Sequence, residues 1–336
     1  MNILAVESSC DETAVAVVRD GRTVLADCIA SQVVMHQVYG GVVPEIASRK
    51  HMEAISGLAD QALAQAGLTR NQIDAVAVTY APGLIGAVLV GVSFAKSAAY
   101  ALGVPLIPVH HVRGHIAANY IAHANLEPPF VCLCVSGGTS LIVDVKGYTE
   151  MEILGATRDD AAGECFDKIA RVLGLGYPGG GPLDRAAVGG DDTRFPLPRV
   201  HVHDAPLDMS FSGLKTACLN LIHNLEQKGE EIPLADLAAS FSAAVSDMLV
   251  PRVMSASAKL GYGKVAVVGG VAANSRIRGD LEKACQSVGD QLYLPPLSLC
   301  GDNGAMIGSQ GYYEFLAGRR GGADLNAYAN RDISLG

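Results

Sequence analysis

Residues 133–138, Leu133-Cys134-Val135-Ser136-Gly137-Gly138, line up with residues 4–9, Leu4-Ala5-Val6-Glu7-Ser8-Ser9. Each is a short apolar run that stops at small and polar residues, as a buried strand does on entering a tight turn. The segments after the two copies match as well. After the first, Ala14–Arg19 is another apolar run, Asp20-Gly21 a hairpin signal and Thr23–Ala30 a returning strand. After the second, Ser140–Val145 and Tyr148–Ala156 are strands, with turns at Gly137-Gly138 and Lys146-Gly147. Helices and strands then alternate in both halves. In the first, Met52, Ile55, Leu58, Ala59 and Leu63 recur at helical spacing. Strand Ile73–Thr79, helix Gly86–Leu102, strand Pro105–Val109 and helix His111–His123 complete it. In the second, helices are expected near Ala161–Leu173, Gly213–Leu225 and Leu234–Leu260, the last kinked or broken at Pro251. Strand Lys264–Val268, helix Ala273–Ser287, strand Gln291–Leu294 and helix Asn303–Leu316 come after them. The reading is an α/β chain of two duplicated βββαβαβα lobes around a cleft, residues 1–123 and 124–302, with 303–336 packing back on the first.

Composition narrows the function. The chain has 336 residues, 49% hydrophobic and 18% charged, which suits a large buried core and excludes a disordered chain. Lys plus Arg number 25 against 34 Asp plus Glu, a formal charge of −9, which argues against a generic nucleic-acid coat. Glycine is in surplus at 38 residues, and with no Trp this points to glycine-built loops and close backbone packing. The N-terminus has no basic region of a signal peptide. The most membrane-like run, Leu84–Leu102, carries Lys96, so no membrane span is expected. Eight cysteines lack CxxC spacing, as expected of reduced thiols in a cytoplasmic protein.

Three groups of residues carry chemistry. His111 and His115 are four apart, so a helix sets both imidazoles on one face, a spacing that suits two ligands of one transition metal. Asp302, in Leu299-Cys300-Gly301-Asp302-Asn303, offers a third, hard ligand; its plainer role would be to cap the last helix. The loops Val135-Ser136-Gly137-Gly138-Thr139-Ser140, Tyr177–Asp184 and Val268–Asn274 are glycine-rich turns able to wrap a nucleotide's phosphates. Asp167 and Asp184 would suit ribose or amide hydrogen bonds. At the N-terminus, Glu7–Thr13 gathers acids and hydroxyls in the first turn; Cys10 within it reads as a buried thiol, because no base accompanies it.

The motifs ESSCDETAVAVV (7–18), HQVYGGVVPEIASRKH (36–51), TYAPGLIGAVLVG (79–91), HHVRGH (110–115), VSGGTS (135–140), DDAAGECFDK (159–168), MSFSGLKT (209–216), VGGVAANSRIR (268–278) and CGDN (300–303) occur in this order. Together they resemble the bacterial TsaD family, formerly described as O-sialoglycoprotein endopeptidases. The resemblance implies a fold of the actin-like ATPase and sugar-kinase (ASKHA) type. It implies transfer of a threonylcarbamoyl group from threonylcarbamoyl-AMP to N6 of the adenosine 3′ to the anticodon in tRNAs reading codons that begin with A. It further implies one divalent metal, Fe2+ first and zinc as the alternative, a paralogous TsaB subunit, the TsaE ATPase and tRNA as partners. Carried over by position, His111, His115 and Asp302 match the metal ligands. Ser136, Gly137, Gly138, Asp167, Gly180, Asp184 and Asn274 match adenylate-binding positions, and Val135 and Thr139 complete the first loop. Thr139, Gly181 and Arg113 depart from the usual family residues, Arg113 adding a positive charge near the expected metal.

The expected chemistry is acyl-type transfer onto an exocyclic amine, assisted by a Lewis-acid metal and by glycine N–H groups holding the AMP leaving group. Asp11 or Glu12 is the expected general base. An ATPase or kinase of the same fold would instead need Mg2+ and a γ-phosphate, and a nucleotide-binding regulatory scaffold would need no site metal. Docking of tRNA would fall to Arg49-Lys50-His51, Arg113, Arg194 with Arg199, Arg276 with Arg278, or a partner.

Overall fold

The computed structural model describes residues 1–335; Gly336, at the end of the expected C-terminal segment, lies outside them. Two compact units form. One comprises Met1–Pro128, Lys146–Glu152 and the segment from Pro295 onward; the other comprises Pro129–Val145 and Ile153–Leu294.

In chain order the first half runs β1 (Asn2–Glu7), β2 (Glu12–Arg19), β3 (Thr23–Ser31), α1 (Val33–Gln37), α2 (Pro44–Ala66), β4 (Ala75–Ala81), α3 (Ile85–Leu102), β5 (Leu106–His110) and α4 (His111–Ala122). The second runs β6 (Phe130–Val135), β7 (Ser140–Gly147), β8 (Glu150–Ala156), α5 (Ala162–Val172), α6 (Gly180–Ala186), α7 (Ser212–Lys228), α8 (Leu234–Leu260), β9 (Lys264–Val268), α9 (Ser275–Val288), β10 (Gln291–Tyr293) and α10 (Gly304–Leu316). The first sheet has the order β3-β2-β1-β4-β5, and the second, read from its far edge, β8-β7-β6-β9-β10. In both, the opening strand pairs antiparallel with the second and parallel with the fourth (β1 with β2 and β4, β6 with β7 and β9), and the fifth adds parallel to the fourth. The duplication expected from residues 4–9 and 133–138 is therefore a duplication of topology. β4 and β6 are buried along their whole length, and β1 from Ile3 onward, which is why they read as unbroken apolar runs.

α10 lies close on the first sheet because its sheet-facing positions are glycines. A Cβ on Gly304 would come 2.7 Å from the Ala16 backbone nitrogen, one on Gly308 2.5 Å from Val18, and one on Gly311 2.6 Å from Ala77. α3 approaches the turn after β1 in the same way: a Cβ on Gly91 would meet Ser8 Oγ at 2.3 Å, and Ser8 Oγ donates to Ala87 O at 3.0 Å.

Three local expectations change. α8 runs unbroken through Pro251. The carbonyl that loses its partner there is that of Asp247, and both residues are exposed, so water can replace the missing bond. The helix expected around Met52 begins already at Pro44, whose ring suits the first helical position. A 3-10 turn at Gly270–Ala273 delays α9 to Ser275. On length and apolarity α3 and α8 could each cross a membrane; 67% of the most apolar stretch of α8 is buried inside the fold and 33% of that of α3.

Candidate active site and metal centre

β5 ends at His110, and α4 starts on the next residue, so His111 and His115 occupy its first two turns. Asp302 sits in the turn before α10, and the cap of that helix is Asn303, whose side chain accepts from Met306 N at 2.8 Å. The plainer role for Asp302 therefore falls to its neighbour. The two imidazoles meet edge to face, centroids 4.6 Å apart. His115 Nε2 is 3.1 Å and His111 Nε2 3.5 Å from Asp302 Oδ1, and one ligand atom from each of the three residues lies within 4.8 Å of the others. Ligand atoms about 2.1 Å from one ion, at angles of 90–110°, lie about 3.0–3.4 Å apart, so the set fits a small divalent cation. The burial pattern agrees: apart from the approach of Nε2 to Asp302, neither ring nitrogen of the buried His115 has a hydrogen-bond partner among the described residues.

The other face of His111 is held by Glu7 and Ser9, members of the acid- and hydroxyl-rich turn that the sequence marked as a group without tying either residue to His111. Glu7 Oε2 is 3.0 Å and Ser9 Oγ 3.2 Å from His111 Nδ1. Glu7 is wholly buried, and accepts from Thr79 Oγ1 and from Ser9 N, each at 2.5 Å. Burial opposes its charge, yet His111 and the Thr79 hydroxyl outweigh burial and keep the carboxyl below its usual range. In turn, burial pulls His111 down while Asp302 and Glu7 raise it further, to about 9. Asp302 is held at about 2 against its own burial by His111 and His115. An ion held by these residues would take the place of the proton on His111. The available signal was a carboxylate closing an apolar strand, Ile3–Glu7.

Asp11 lies in the turn after β1, and Glu12 opens β2. His51 braces the turn: Nε2 donates to Cys10 O at 2.9 Å, so Nδ1 accepts from Thr13 Oγ1 at 2.7 Å. Glu12 Oε1 accepts from Ser31 Oγ at 3.0 Å, and burial, then the charges of Asp302 and Asp11, push its carboxyl up to about 9. Burial and Asp11 also push Cys10 far above the usual thiol range, which removes it as a nucleophile. All eight cysteines are free.

The nucleotide-type loops belong to the other unit. Val135 ends β6, and Ser136–Thr139 form the turn to β7, closed by Ser136 N donating to Thr139 O at 2.8 Å. Asp167 on α5 accepts from Gly179 N at 2.6 Å, fixing the loop that leads to Gly180 and α6. Asp184 on α6 accepts from Ser275 N at 3.1 Å and Ser275 Oγ at 2.9 Å, fixing α6 to the start of α9. Each of these acids, expected to face ribose or an amide, thus commits one oxygen to holding a loop. Asn274 caps α9 through Oδ1, which accepts from Ile277 N at 3.1 Å, while its buried Nδ2 has no partner. The glycines divide by cause. A Cβ on Gly163, Gly179 or Gly269 would come within 2.4 Å of a protein atom, so packing demands glycine there. Gly137, Gly138 and Gly180 have open space instead, the condition for a ligand to approach the backbone.

Arg113 corrects an expectation. Its guanidinium is buried and donates to Glu314 Oε1 at 2.9 Å and Ile333 O at 2.8 Å, so its charge is neutralised inside the fold.

Residues 23–309 match the TsaD family, tRNA N6-adenosine threonylcarbamoyltransferase. The transferase of that name from Clostridium botulinum (strain 657 / Type Ba4) is 53% identical over 330 residues, covering 98% of this chain and 97% of the relative. Its namesake from Clostridium perfringens (strain ATCC 13124) is 52% identical over 328 residues, covering 98% and 97%. Among solved structures, T. kodakarensis HypF superposes with a TM-score of 0.65 at 18% identity over 94% of this chain, which spans only 48% of HypF. The (R)-2-hydroxyglutaryl-CoA dehydratase component A of Acidaminococcus fermentans gives 0.53 at 14% identity, covering 94% and 98%. Those two structures bear on the fold alone, which is of the ASKHA type. By sequence, over nearly its whole length, the chain belongs to the TsaD family of tRNA N6-adenosine threonylcarbamoyltransferases, the transferases that form N6-threonylcarbamoyladenosine in tRNA.

Proposed function

We propose that the donor is threonylcarbamoyl-AMP, that the acceptor is N6 of the adenosine 3′ to the anticodon, and that His111, His115 and Asp302 hold one divalent ion. The observation that carries the reading is the approach of two imidazole Nε2 atoms to one Asp302 oxygen, with the His115 nitrogens otherwise unpartnered. Two histidines and a carboxylate with open positions suit Fe2+ first and zinc second. Such an ion supplies Lewis-acid polarisation of the carbamoyl carbonyl or the phosphate.

The protein's own groups do the rest. Glu7 and Ser9 fix His111 through Nδ1 and so present Nε2. The backbone at Gly137, Gly138 and Gly180, with open space beside each Cα, the start of α9 and the spare Nδ2 of Asn274 hold the adenylate and stabilise charge as AMP leaves. As N6 bonds to the carbamoyl carbon and the bond to the phosphate oxygen breaks, Asp11 or Glu12 takes the amine proton. Burial first and the charge of Asp302 second push the Glu12 carboxyl up to about 9; a cation held at Asp302 would remove the second cause and lower Glu12 toward the range of a working base.

Partners are constrained by the charges. Arg49 lies 3.6 Å from Glu45, Lys50 2.6 Å from Glu53, Arg194 2.7 Å from Asp236, Arg199 2.9 Å from Asp247, and Arg276 2.6 Å from Asp280. His51 is buried. With five of its basic candidates paired to acids, Arg278 Nη1 donating to Ala272 O, and a charge of −9, the chain docks tRNA together with partners, TsaB and TsaE in this reading, in the cytoplasm.

The test is reconstitution. Protein, TsaB, TsaE, tRNA, threonine, bicarbonate and ATP are incubated with the adenylate-forming enzyme, and tRNA nucleosides are read by mass spectrometry. Modified adenosine is expected. Asp11→Ala or Glu12→Ala should slow its formation by about 10²–10⁴-fold, whichever residue is the base. Full activity in both variants would remove that role.

A second measurement isolates the glycine turn. In Gly138→Ala the added methyl meets nothing in the protein, so stability should stay within about 0.5 kcal/mol of the parent. Affinity for a non-hydrolysable adenylate, read by calorimetry, should fall by about tenfold, or about 1.4 kcal/mol. Unchanged affinity would mean the turn does not touch the nucleotide.

A further inference from the structure

Arg113 stands between the two histidines in sequence but not in space. At about 100° per residue, His111 and His115 lie some 40° apart on α4, and Arg113 points about 180° away from their mean. It therefore cannot reach an ion held by them. Its partners lie elsewhere in the same unit. Nη1 donates to Glu314 Oε1 at 2.9 Å, and Nε donates to Ile333 O at 2.8 Å. Glu314 Oε1 also accepts from Gln310 Nε2 at 2.7 Å, and Glu314 Oε2 lies 3.2 Å from Arg319 Nη1. Arg113 and Glu314 are both essentially inaccessible to solvent.

Glu314 is on α10, the helix that begins two residues after Asp302. The ion pair thus joins the element carrying two ligands to the element directly after the third. The same two helices already touch closely: a Cβ on Gly114 would meet Ile307 Cδ1 at 2.6 Å, and Ser309 Oγ donates to Ala117 O at 3.3 Å. Packing alone would hold them together, and a buried ion pair seldom stabilises more than apolar side chains of the same volume. The pair adds direction. Apolar contacts tolerate small slides of one helix along the other, whereas the guanidinium, bonded to α10 and to the C-terminal segment at once, sets one register. Metal sites are sensitive to shifts of about 0.2 Å.

We propose that Arg113, through Glu314 and the Ile333 carbonyl, is a positioning residue that sets the register of α4 against α10 and so holds His111 and His115 at the right reach from Asp302. This rests on the metal reading above, and the experiment separates the two. The full chain is titrated with Co2+ and followed by its visible absorption, for the parent and for the variants R113M/E314L and Glu314→Gln. The double replacement removes both charges of the buried pair and leaves the part-exposed Arg319 its bond to Thr149 O; Glu314→Gln keeps the shape and one acceptor should the double variant fail to fold. Thermal melting identifies which variants are folded. The expected result in a folded variant is Co2+ binding weaker by about fivefold to tenfold with an altered absorption envelope; the melting temperature stays near the parent's in R113M/E314L and falls in Glu314→Gln, which leaves Arg113 buried without its acid. A merely structural pair would move the melting temperature and leave the Co2+ affinity and spectrum alone. Affinity within twofold of the parent, with the parent's spectrum, in every folded variant would overturn the proposal while leaving the metal reading standing. A parent that bound no Co2+ would overturn both.

Discussion

Asp302→Ala should keep the fold and lose the metal. The side chain is 19% exposed, does not cap α10, and meets only the two histidines among its ion-pair partners, so its removal opens no core cavity. The variant loses the only carboxylate among the three ligand residues. Two imidazoles alone bind a divalent ion far more weakly. A metal acting as Lewis acid contributes several kcal/mol of transition-state stabilisation. At about 1.4 kcal/mol per decade, transfer in the reconstituted assay should fall by about 10²–10³-fold. Metal content by mass spectrometry should drop from near stoichiometric to background, while melting temperature and adenylate affinity stay close to the parent's. If the variant retained both its metal and its activity, the ion would have to be held elsewhere.

The second large effect is on stability. Gly269, the residue after β9, has φ 93° and ψ 168°, a region open in practice only to glycine. A Cβ there would lie 2.3 Å from Val135 O and 3.2 Å from Ser136 Cβ. Gly269→Ala therefore meets two penalties: backbone strain of about 1–3 kcal/mol, and a clash with the carbonyl at the end of the neighbouring buried strand. The strand cannot yield without breaking its ladder with β7 and β9. A total loss of about 4 kcal/mol is expected, among the larger values for a single substitution. At about 2–4 °C per kcal/mol the melting temperature should fall by about 10 °C. Because the displaced atoms open the Ser136–Thr139 turn, whatever folds should also bind adenylate poorly. A melting temperature within 2–3 °C of the parent would show that β6 and β9 can part at little cost. The contrast with Gly138→Ala, two residues beyond Ser136 but in open space, makes the pair of variants informative.

Much of this molecule is legible in its sequence, for identifiable reasons. Strands such as Phe130–Val135 are apolar throughout because the sheet buries both faces, and the two sheets repeat because the strand-and-turn pattern of residues 4–30 recurs from 133. His111 and His115 declare a shared face because four residues make about one helical turn. Family membership is carried by ordered motifs along one chain. The tertiary structure decided everything that depends on which distant residues meet. Local spacing alone does not show that Glu7 closes β1 against His111 more than a hundred residues later, or that Asn303 leaves Asp302 free of the capping role. Spacing also misdirected the reading of Arg113: two residues from each histidine in sequence, it turns to the far side of α4 and is neutralised by Glu314. A side chain's direction on a helix can be counted from the sequence, but the group that waits for it there is set by packing between elements.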